Sequence, residues 1–337
     1  MNVPSKVKIL SRILGVAAPK AGNIAPMSIG FLLFDGFQPI DLAGPWQAFS
    51  TANEELGRAA YLLTTIGTDI VATTWDQGLR VHISCNLAES ATTPLDVLIV
   101  PGGAGVYKAM QNNVLLEWVR DKDRSTHRTC SICTGAFLLA AAGLLNDRKV
   151  TTHWRSAARL QQEFPRLSVN DEMIYCESGK YWTTAGVSAG IDLALALIER
   201  DLGLELSQRV ARRLVVYLRR SGDQRQYSQT LRLQDRASAP FSELIGQLEM
   251  RLDRVWSIDD MAHTCGMSRR TFQRKFLLHF GVPPTEALSA LRREHAEILA
   301  HSGKLSHKEI ARRVGLTEYR PVRSQGSVSG EQVLVTP

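Results

Sequence analysis

A stretch in the C-terminal third predicts two short helices that meet at a tight turn: Ser257-Ile-Asp-Asp-Met-Ala-His-Thr-Cys-Gly-Met-Ser-Arg-Arg-Thr-Phe-Gln-Arg-Lys-Phe276. Ser257 is a typical helix N-cap, and apolar residues follow at the i, i+3, i+4 and i+7 spacing of one helix face. Gly266 then allows a backbone with positive φ, and Ser268 can cap the next helix. The pattern is typical of a helix-turn-helix, although an ordinary helical hairpin with a solvated basic face has the same spacing.

The second helix of this stretch has one apolar face and one polar face. Phe272 and Phe276 are one turn apart and are expected to face inward. The polar face then carries side chains that can reach base edges in a major groove. These candidate DNA-binding residues are Arg269, Arg270, Gln273 and Arg274.

Charge is distributed unevenly along the chain. The 337 residues contain 40 Lys and Arg against 33 Asp and Glu, a net charge of +7. From Leu204 to the end there are 22 basic and 14 acidic residues, whereas the first 203 residues have a net charge of −1. Attraction to nucleic-acid phosphates is the obvious use of such a basic region. An Arg-rich helical bundle is the alternative.

Composition limits the class of protein. A length of 337 residues indicates two domains, and a hydrophobic content of 44% allows real cores. Cys130 and Cys133 form a C-x-x-C pair, but no second pair completes a zinc site, so we expect neither metal nor cofactor. Five cysteines without a secretory signal indicate a reducing cytoplasm, and the apolar run 135–145 is too short to span a membrane.

The first two thirds of the chain alternate strand-like and helix-like blocks. Near-continuous apolar strands predict an α/β fold, a flavodoxin-like doubly wound and mostly parallel sheet covered on both faces. After Gly203 the spacing of apolar residues becomes that of helices. Five compact apolar blocks are predicted strands: 28–34, 60–66, 96–100, 128–133 and 181–184. We predict a leader (1–26), a sensor domain (27–204), a connector helix and linker (205–240), a helix-turn-helix domain (241–320) and an atypical tail (321–337).

Three loops at the carboxyl edge of this sheet carry candidate pocket residues. Cys133 lies at a strand-to-helix junction before Gly135, the arrangement of a nucleophile elbow, and a following helix N-terminus would lower its thiol pKa. The amides of Gly102 and Gly103 are placed to hold an oxyanion. Asp41 brings a carboxylate to the same edge.

His153 is a fourth candidate for this pocket. Each residue also has a plain structural interpretation. Cys133 is then an inert buried thiol, His153 a structural or ligand-contacting residue, and Asp41 a helix cap.

The first domain carries seven distinctive motifs: Phe34-Asp-Gly-Phe, Asp41-Leu-Ala-Gly-Pro45, Val100-Pro-Gly-Gly103, Cys133-Thr-Gly-Ala-Phe137, Ala142-Gly-Leu-Leu145, Thr151-Thr-His-Trp154 and Thr184-Ala-Gly-Val-Ser-Ala-Gly-Ile-Asp-Leu-Ala194. In these motifs the first domain resembles the class I glutamine amidotransferase-like, ThiJ/PfpI-type superfamily. The C-terminal part resembles an AraC/XylS-type DNA-binding domain, and the combination resembles GlxA-type transcriptional regulators over residues 28 to 320.

The resemblance implies a metabolite-sensing regulator of transcription. Its expected partners are double-stranded promoter DNA, a small effector such as an amine or amino-acid derivative, a second copy of the chain, and RNA polymerase. Hydrolytic members of the superfamily carry His directly after the elbow cysteine, where this chain has Thr134. The resemblance therefore favours a non-catalytic pocket. Its ligand-binding residues would be Asp41, Gly102, Gly103, Cys133, Thr134 and His153.

AraC-type domains carry two helix-turn-helix units joined by a long helix. The range 285–301 fits that helix, and Ser306 to Leu316 fits the start of the second unit. Pro321 and a Gly/Ser-rich tail then stand where a second recognition helix is expected, which leaves the preceding apolar helix face without a partner. Two alternatives stay open: a Cys-dependent hydrolase of the ThiJ/PfpI superfamily, and a degenerate regulator with impaired DNA binding.

Overall fold

The computed structural model describes residues 25–216, residues 220, 222, 226, 233, 234 and 237, and the ranges 239–301 and 305–320. The chain forms two compact units that divide between Gln226 and Tyr227. The finer domain limits at 204 and 240 stay predictions. Of the leader, only residues 25 and 26 are described, and the tail 321–337 lies outside the described residues.

The first unit is built on a parallel sheet. Its strands are β1 (Met27–Leu33), β2 (Tyr61–Gly67), β3 (Val71–Thr73), β4 (Arg80–His82), β5 (Cys85–Asn86), β6 (Val97–Val100), β7 (Arg128–Ile132), β8 (Lys149–Val150), β9 (Ser168–Val169), β10 (Tyr175–Ser178) and β11 (Tyr181–Thr184). Seven of these form one sheet in the order β10-β11-β7-β6-β1-β2-β5. All its pairings are parallel except that of β10 with β11. The predicted α/β class and mostly parallel sheet are confirmed.

The sheet brings the candidate pocket loops together. The five predicted strands correspond to β1, β2, β6, β7 and β11. They could be predicted because strands buried on both faces form continuous apolar runs in the sequence. Strand β1 lies between β2 and β6, so the chain leaves β1 on one side and returns on the other. The carboxyl ends of β1, β6 and β7 meet at this switch point, where open α/β sheets hold their ligands.

Helices cover the sheet. They are α1 (Pro39–Leu56), α2 (Leu87–Ser90), α3 (Val106–Ala109), α4 (Asn113–Ser125), α5 (Gly135–Ala141), α6 (Trp154–Glu163), α7 (Ala189–Leu202) and α8 (Leu204–Arg213). Helix α1 begins at Pro39, because proline suits the first helical turn. It ends at Gly57, whose φ of 62° closes the helix.

Helix α8, which the sequence analysis placed in the connector, packs on the core of the first unit. Its Leu206 and Val210 are buried there. The Ser207 hydroxyl donates to the carbonyl oxygen of Leu195 on α7 at 2.8 Å.

The short strands β3, β4, β5, β8, β9 and β10 were not predicted from the sequence, and neither were helices α2, α3 and α6. These strands have two to four residues each. Such segments are too short to show a hydrophobic period, and distant partners such as β8 and β9 fix them by pairing.

The second unit is helical. Its helices are α9 (Phe241–Met250), α10 (Ile258–Thr264), α11 (Arg269–Phe280), α12 (Pro284–His301) and α13 (His307–Val314). Phe272 and Phe276 of α11 are fully buried, as predicted, and the ring centroid of Phe276 lies 5.7 Å from that of Phe241. These aromatic contacts fix α11 against α9 and leave its opposite face outward.

Helix α13 does not lack a packing partner, so that expectation was wrong. Its apolar residues Ile310, Ala311 and Val314 form a small buried cluster with Ala296 of α12 and with Tyr319. Tyr319 contributes its apolar ring to this cluster. Residues 317–320 are not helical, and the rest of the region where a second recognition helix is expected lies outside the described residues.

Candidate ligand pocket and nucleic-acid interface

The first candidate site is a strained turn between β7 and α5, here called the elbow. Cys133 adopts a φ of +56°, a left-handed conformation that costs a non-glycine residue on the order of 1 kcal/mol or more. Its amide donates to the Thr184 carbonyl oxygen at 3.1 Å, and its carbonyl accepts from the Thr152 hydroxyl at 2.7 Å. Gly186 packs directly on it, because a Cβ added there would lie 2.1 Å from the Cys133 Cβ.

Asp41 ties the elbow to two other loops. It is fully buried in the first turn of α1, whose N-cap is Gln38, so it does not cap that helix. Its Oδ2 accepts from the Gly102 amide at 3.0 Å and its Oδ1 from the Val187 amide at 2.9 Å. Burial raises the pKa of Asp41 to about 6, against the opposing effect of these bonds and of one with Cys133.

The two glycine amides after β6 are already engaged within the protein. The Gly102 amide donates to Asp41, and the Gly103 amide donates to the Thr134 hydroxyl oxygen at 2.9 Å. That hydroxyl in turn donates to the Gly103 carbonyl at 3.2 Å. In this conformation neither glycine amide is available to an oxyanion. Thr134 instead holds the glycine loop in place.

The expected lowering of the thiol pKa was wrong. Burial, followed by the charge of Asp41, raises the pKa of Cys133 to about 12. Cys133 is only 8% exposed, so the loss of hydration outweighs the favourable dipole at the start of α5. A thiol in this state is protonated at neutral pH.

His153 lies beside the elbow but does not hydrogen-bond to it. Its Nδ1 caps α6 by accepting from the Arg155 amide at 3.4 Å, and its ring stacks on Trp154 with centroids 5.7 Å apart. Burial, and then the charge of Arg155, lower the pKa of the imidazole. Among the described residues no hydrogen bond joins His153 to Cys133 or Asp41.

Three contributors to the elbow were missed. Thr152 bonds the Cys133 carbonyl, Val187 bonds Asp41, and Gly186 provides the space. Val187 is itself strained, with a φ of +53°. Gly186 was the available signal for this contact, since a glycine between a strand and a helix often permits close approach of two backbone segments. Within the described ranges, no cluster of three His, Cys, Asp or Glu residues has the geometry of a metal site.

The second candidate site is the pair of helices α10 and α11. Ser257 and Asp260 form a capping box at the start of α10. Gly266, with a φ of +63°, makes the turn, and the Ser268 hydroxyl oxygen accepts from the Thr271 amide at the start of α11. The predicted helix-turn-helix geometry is therefore present.

The outward face of α11 carries the four predicted side chains. Arg269, Arg270, Gln273 and Arg274 are all exposed. Arg269 forms an ion pair with Asp259 at 3.1 Å. The other three make no hydrogen bond or ion pair with any described residue. Their polar groups are free to bind a partner.

Two arginines of α13, unlike Arg270 and Arg274 of α11, are paired with an acidic residue of their own helix. Arg312 and Arg313 both pair with Glu309, at 2.7 and 2.8 Å. These hydrogen bonds lower the pKa of Glu309 to about 2, so its carboxylate is charged at all ordinary pH values. Part of the positive charge of α13 is thus neutralised within the helix. On α11, by contrast, the side chains of Arg270, Gln273 and Arg274 have no such partner among the described residues.

Comparison with known proteins identifies the family of the first unit. The model of the DJ-1/PfpI family matches residues 27–200, which is more than half of the chain. The chain belongs to the DJ-1/PfpI family. A helix-turn-helix domain model matches residues 261–323 and confirms the interpretation of α10 and α11.

Two relatives that are named HTH-type transcriptional regulators match this chain over most of its length. The HTH-type transcriptional regulator GbdR of Pseudomonas aeruginosa is 28% identical over 290 residues, which cover 86% of this chain and 78% of that protein. The HTH-type transcriptional regulator GlxA of Rhizobium meliloti is 27% identical over 292 residues, covering 86% and 88%. The predicted resemblance to GlxA-type regulators is confirmed.

Two further comparisons are with proteins named for an enzyme activity or for the ThiJ/PfpI family. Isonitrile hydratase of Pseudomonas putida is 32% identical over 184 residues, which cover 55% of this chain and 76% of that enzyme. A crystal structure of a ThiJ/PfpI family protein from Pseudomonas syringae has a TM-score of 0.51 at 22% identity, covering 82% of this chain and 97% of that one. The structural likeness concerns the fold alone.

Proposed function

We propose that this chain is an AraC-type DNA-binding transcriptional regulator whose DJ-1/PfpI domain senses a small molecule. The observation that carries the proposal is the row of exposed, unbonded side chains on α11: Arg270, Gln273 and Arg274. Arginine binds the edge of guanine with two hydrogen bonds, and glutamine does the same for adenine. Helix α11 would place them in the major groove of promoter DNA, with Arg269 beside the backbone.

The elbow supplies the effector site in this proposal. Asp41 is the natural counter-charge for an amine or amino-acid derivative, because a pKa of about 6 leaves it mostly ionised at neutral pH. The other proposed ligand-binding residues are Gly102, Gly103, Cys133, Thr134 and His153. Because Asp41 and the glycine amides are bonded within the protein, a ligand that engages them must break internal hydrogen bonds. Binding is then tied to a change of conformation, as a sensor requires.

The elbow is non-catalytic in this proposal. A protonated, buried Cys133 and occupied glycine amides lack the activated nucleophile and free oxyanion donors of a hydrolase. A Cys-dependent enzyme is the second candidate, favoured by the likeness to isonitrile hydratase. Rapid alkylation of Cys133 by iodoacetamide below pH 7, together with turnover that Cys133→Ser abolishes, would establish it instead.

The remaining partners follow from the same proposal. A regulator of this kind acts in the cytoplasm, and all five cysteines are free thiols, as a reducing compartment favours. No helix in the described ranges is both long and apolar enough to cross a membrane. We propose a homodimer associated through the first domain, which light scattering of the full chain tests, and RNA polymerase as the downstream partner at the promoter.

Selection of binding sites from a random DNA library by the full chain tests the proposal. The wild-type chain should enrich a defined sequence and bind it with a steep dependence on salt. The variant Arg270→Ala/Arg274→Ala should lose on the order of a hundredfold in affinity for that sequence, because each base contact contributes about 1–3 kcal/mol. A charge-matched control is Arg124→Ala/Arg166→Ala, which removes two exposed arginines of the first unit.

The outcomes separate the remaining alternatives. Enrichment by the wild type with equal binding by both double variants would contradict the role of α11. Failure of the wild type to enrich any sequence, with α10 and α11 folded, would favour the degenerate regulator.

A further inference from the structure

Three described residues that follow α8 are held on the first unit: Arg220, Gly222 and Gln226. We call them the linker anchor, because the first unit ends at Gln226 and the second begins at Tyr227. The Gly222 carbonyl accepts from the Tyr175 amide of β10 at 3.3 Å. A Cβ added at Gly222 would lie 2.6 Å from the Tyr175 carbonyl oxygen, so the chain lies tightly on this strand.

Arg220 is bound at the start of α7. Its Nε and Nη2 donate to Asp192 Oδ2 at 3.0 and 2.6 Å, and its backbone amide donates to Asp192 Oδ1 at 3.1 Å. The same Nη2 donates to the Ser188 hydroxyl at 2.9 Å. Asp192 is only 3% exposed, so the charge of Arg220 compensates a buried carboxylate. This anchoring point is specific to arginine, whose planar fork makes several charge-assisted bonds at once.

Gln226 is bound to the loop before α6. Its Nε2 donates to the carbonyl oxygens of Thr152 at 2.9 Å and Met173 at 3.2 Å, and its Oε1 accepts from the Trp154 amide at 3.1 Å. Its backbone amide donates to the Glu172 carbonyl at 2.8 Å. The last residue of the first unit is therefore fixed by both its side chain and its backbone.

Two of the three anchoring points, Arg220 and Gln226, are bonded to segments that also contact Asp41 or Cys133. The hydroxyl of Thr152 donates to the Cys133 carbonyl, while the carbonyl of Thr152 accepts from Gln226. Ser188, which accepts from Arg220, directly follows Val187, whose amide donates to Asp41. The elbow and the linker anchor thus share two short covalent segments.

We propose that the linker anchor couples occupancy of the elbow to release of the chain that leads into the second unit, an inference that rests on the proposed function. A group bound at the elbow competes for the Asp41 carboxylate and displaces Val187. Gly186 fills the contact with Cys133 so tightly that the displacement cannot be absorbed there. It passes instead to Ser188 and Thr152, and weakens the bonds to Arg220 and Gln226.

Methyl methanethiosulfonate serves as a small probe that fills the elbow. The Cys133 thiol loses its proton to solvent and its sulfur attacks the methylthio sulfur of the probe; the S–S bond of the probe breaks, a methyl disulfide forms on Cys133, and methanesulfinate leaves. Hydrogen exchange of the full chain then reports the amides of Arg220 and Gln226, which are bonded in the structure to Asp192 and Glu172. Modification should speed their exchange by about tenfold, a coupling of ordinary allosteric size. Dithiothreitol, which removes the methylthio group, should restore the slow exchange.

The reverse direction gives a second, independent measurement. Because coupling between two sites is reciprocal, the variant Arg220→Met/Gln226→Leu should react with the probe at Cys133 several times faster than the wild type, as followed by peptide mass spectrometry. Cys133→Ser keeps the other four cysteines, so the same treatment of this variant measures how much they contribute to the response. Arg200→Met is the matched control on α7, since it breaks an exposed ion pair with Glu177 and should change neither measurement.

The results decide between coupling and a merely structural anchor. Unchanged exchange at Arg220 and Gln226 after modification, or a Cys133 rate equal in the anchor variant and the wild type, would overturn the proposal. An equal exchange response in Cys133→Ser would do the same. Neither measurement uses DNA. Loss of DNA binding with intact coupling would therefore refute the proposed function alone, whereas sequence-specific binding without coupling would refute only this inference.

Discussion

The elbow at Cys133 and the turn at Gly266 both depend on left-handed backbone, but their surroundings are opposite. Gly186 crowds Cys133, whereas a Cβ added at Gly266 would meet nothing within 4 Å. Around the elbow, Asp41 and the glycine amides are bonded internally, while the side chains that follow the open turn on α11 have free polar groups. A closed site must rearrange to bind, and an open helix face can bind as it stands.

The largest expected effect is on the free energy of unfolding, when one methyl group is added at the elbow and one at the turn. Gly186→Ala should destabilise the first unit by on the order of 4 kcal/mol or more, because crowding and a φ of +87° act together. Gly266→Ala should cost the second unit only about 1 kcal/mol, from backbone strain alone. Urea unfolding and calorimetry of each variant, with the transitions of the two units resolved, measure both losses of stability.

Gly246→Ala is the control for these substitutions. Gly246 lies inside α9 with nothing within 4 Å of an added Cβ, so alanine should stabilise the helix by about 0.5–1 kcal/mol. Similar losses for Gly186→Ala and Gly266→Ala would mean that the elbow is less tightly packed than described.

The next effect concerns pH. The folded-state pKa of Asp41, about 6, lies above its ordinary value of 3.8, so the folded protein holds this proton more tightly. The resulting stability is fully present below about pH 4 and is lost as pH rises through 6. At about 1.4 kcal/mol per pKa unit, wild type should lose up to about 3 kcal/mol relative to Asp41→Asn over that range.

Unfolding free energies of both proteins at pH 4, 5, 6 and 7 measure this difference. A carbon-13 titration of the Asp41 carboxyl group gives the pKa directly, even if the asparagine variant folds poorly. A wild-type curve parallel to that of Asp41→Asn, or a midpoint near 4, would show that the carboxyl is hydrated.

The smallest effect distinguishes two neighbouring arginines on the open surface. Arg270→Ala should weaken specific DNA binding by about 1–3 kcal/mol. Arg269→Ala should cost less than about 1 kcal/mol, since its guanidinium is directed toward Asp259 in an exposed ion pair. Fluorescence anisotropy on the selected DNA sequence measures both, with Asp259→Ala as the counterpart that frees Arg269. An equal or larger loss for Arg269→Ala would contradict the assignment.

Much of the architecture was predictable from local pattern. Strands such as β1 and β6 are buried on both faces and stand out as apolar runs, and the capping residues Ser257 and Ser268 mark where α10 and α11 begin. The inward and outward faces of α11 follow from the spacing of its phenylalanines. These features depend on neighbours along the chain, which a single sequence displays.

The chemistry of the elbow was predictable only in part. Cys133 and Asp41 were expected at one sheet edge, but the partners of Asp41 come from loops after β6 and β11, and their spacing carries no local signal. The direction of the thiol pKa was wrong because burial depends on how completely α5 and its neighbours close over the turn. The packing of Tyr319 against α13 was missed because a single aromatic residue in a polar segment carries no periodic signal.

The strand order has a consequence for biosynthesis. Strand β7 lies in the middle of the sheet beside β11, which begins at Tyr181, although β1 begins at Met27. Strand β7 ends at Ile132, so at roughly 5–20 residues per second a ribosome needs on the order of several seconds to go from β7 to β11. During that interval the edge of β7 that β11 will cover is open to other strands.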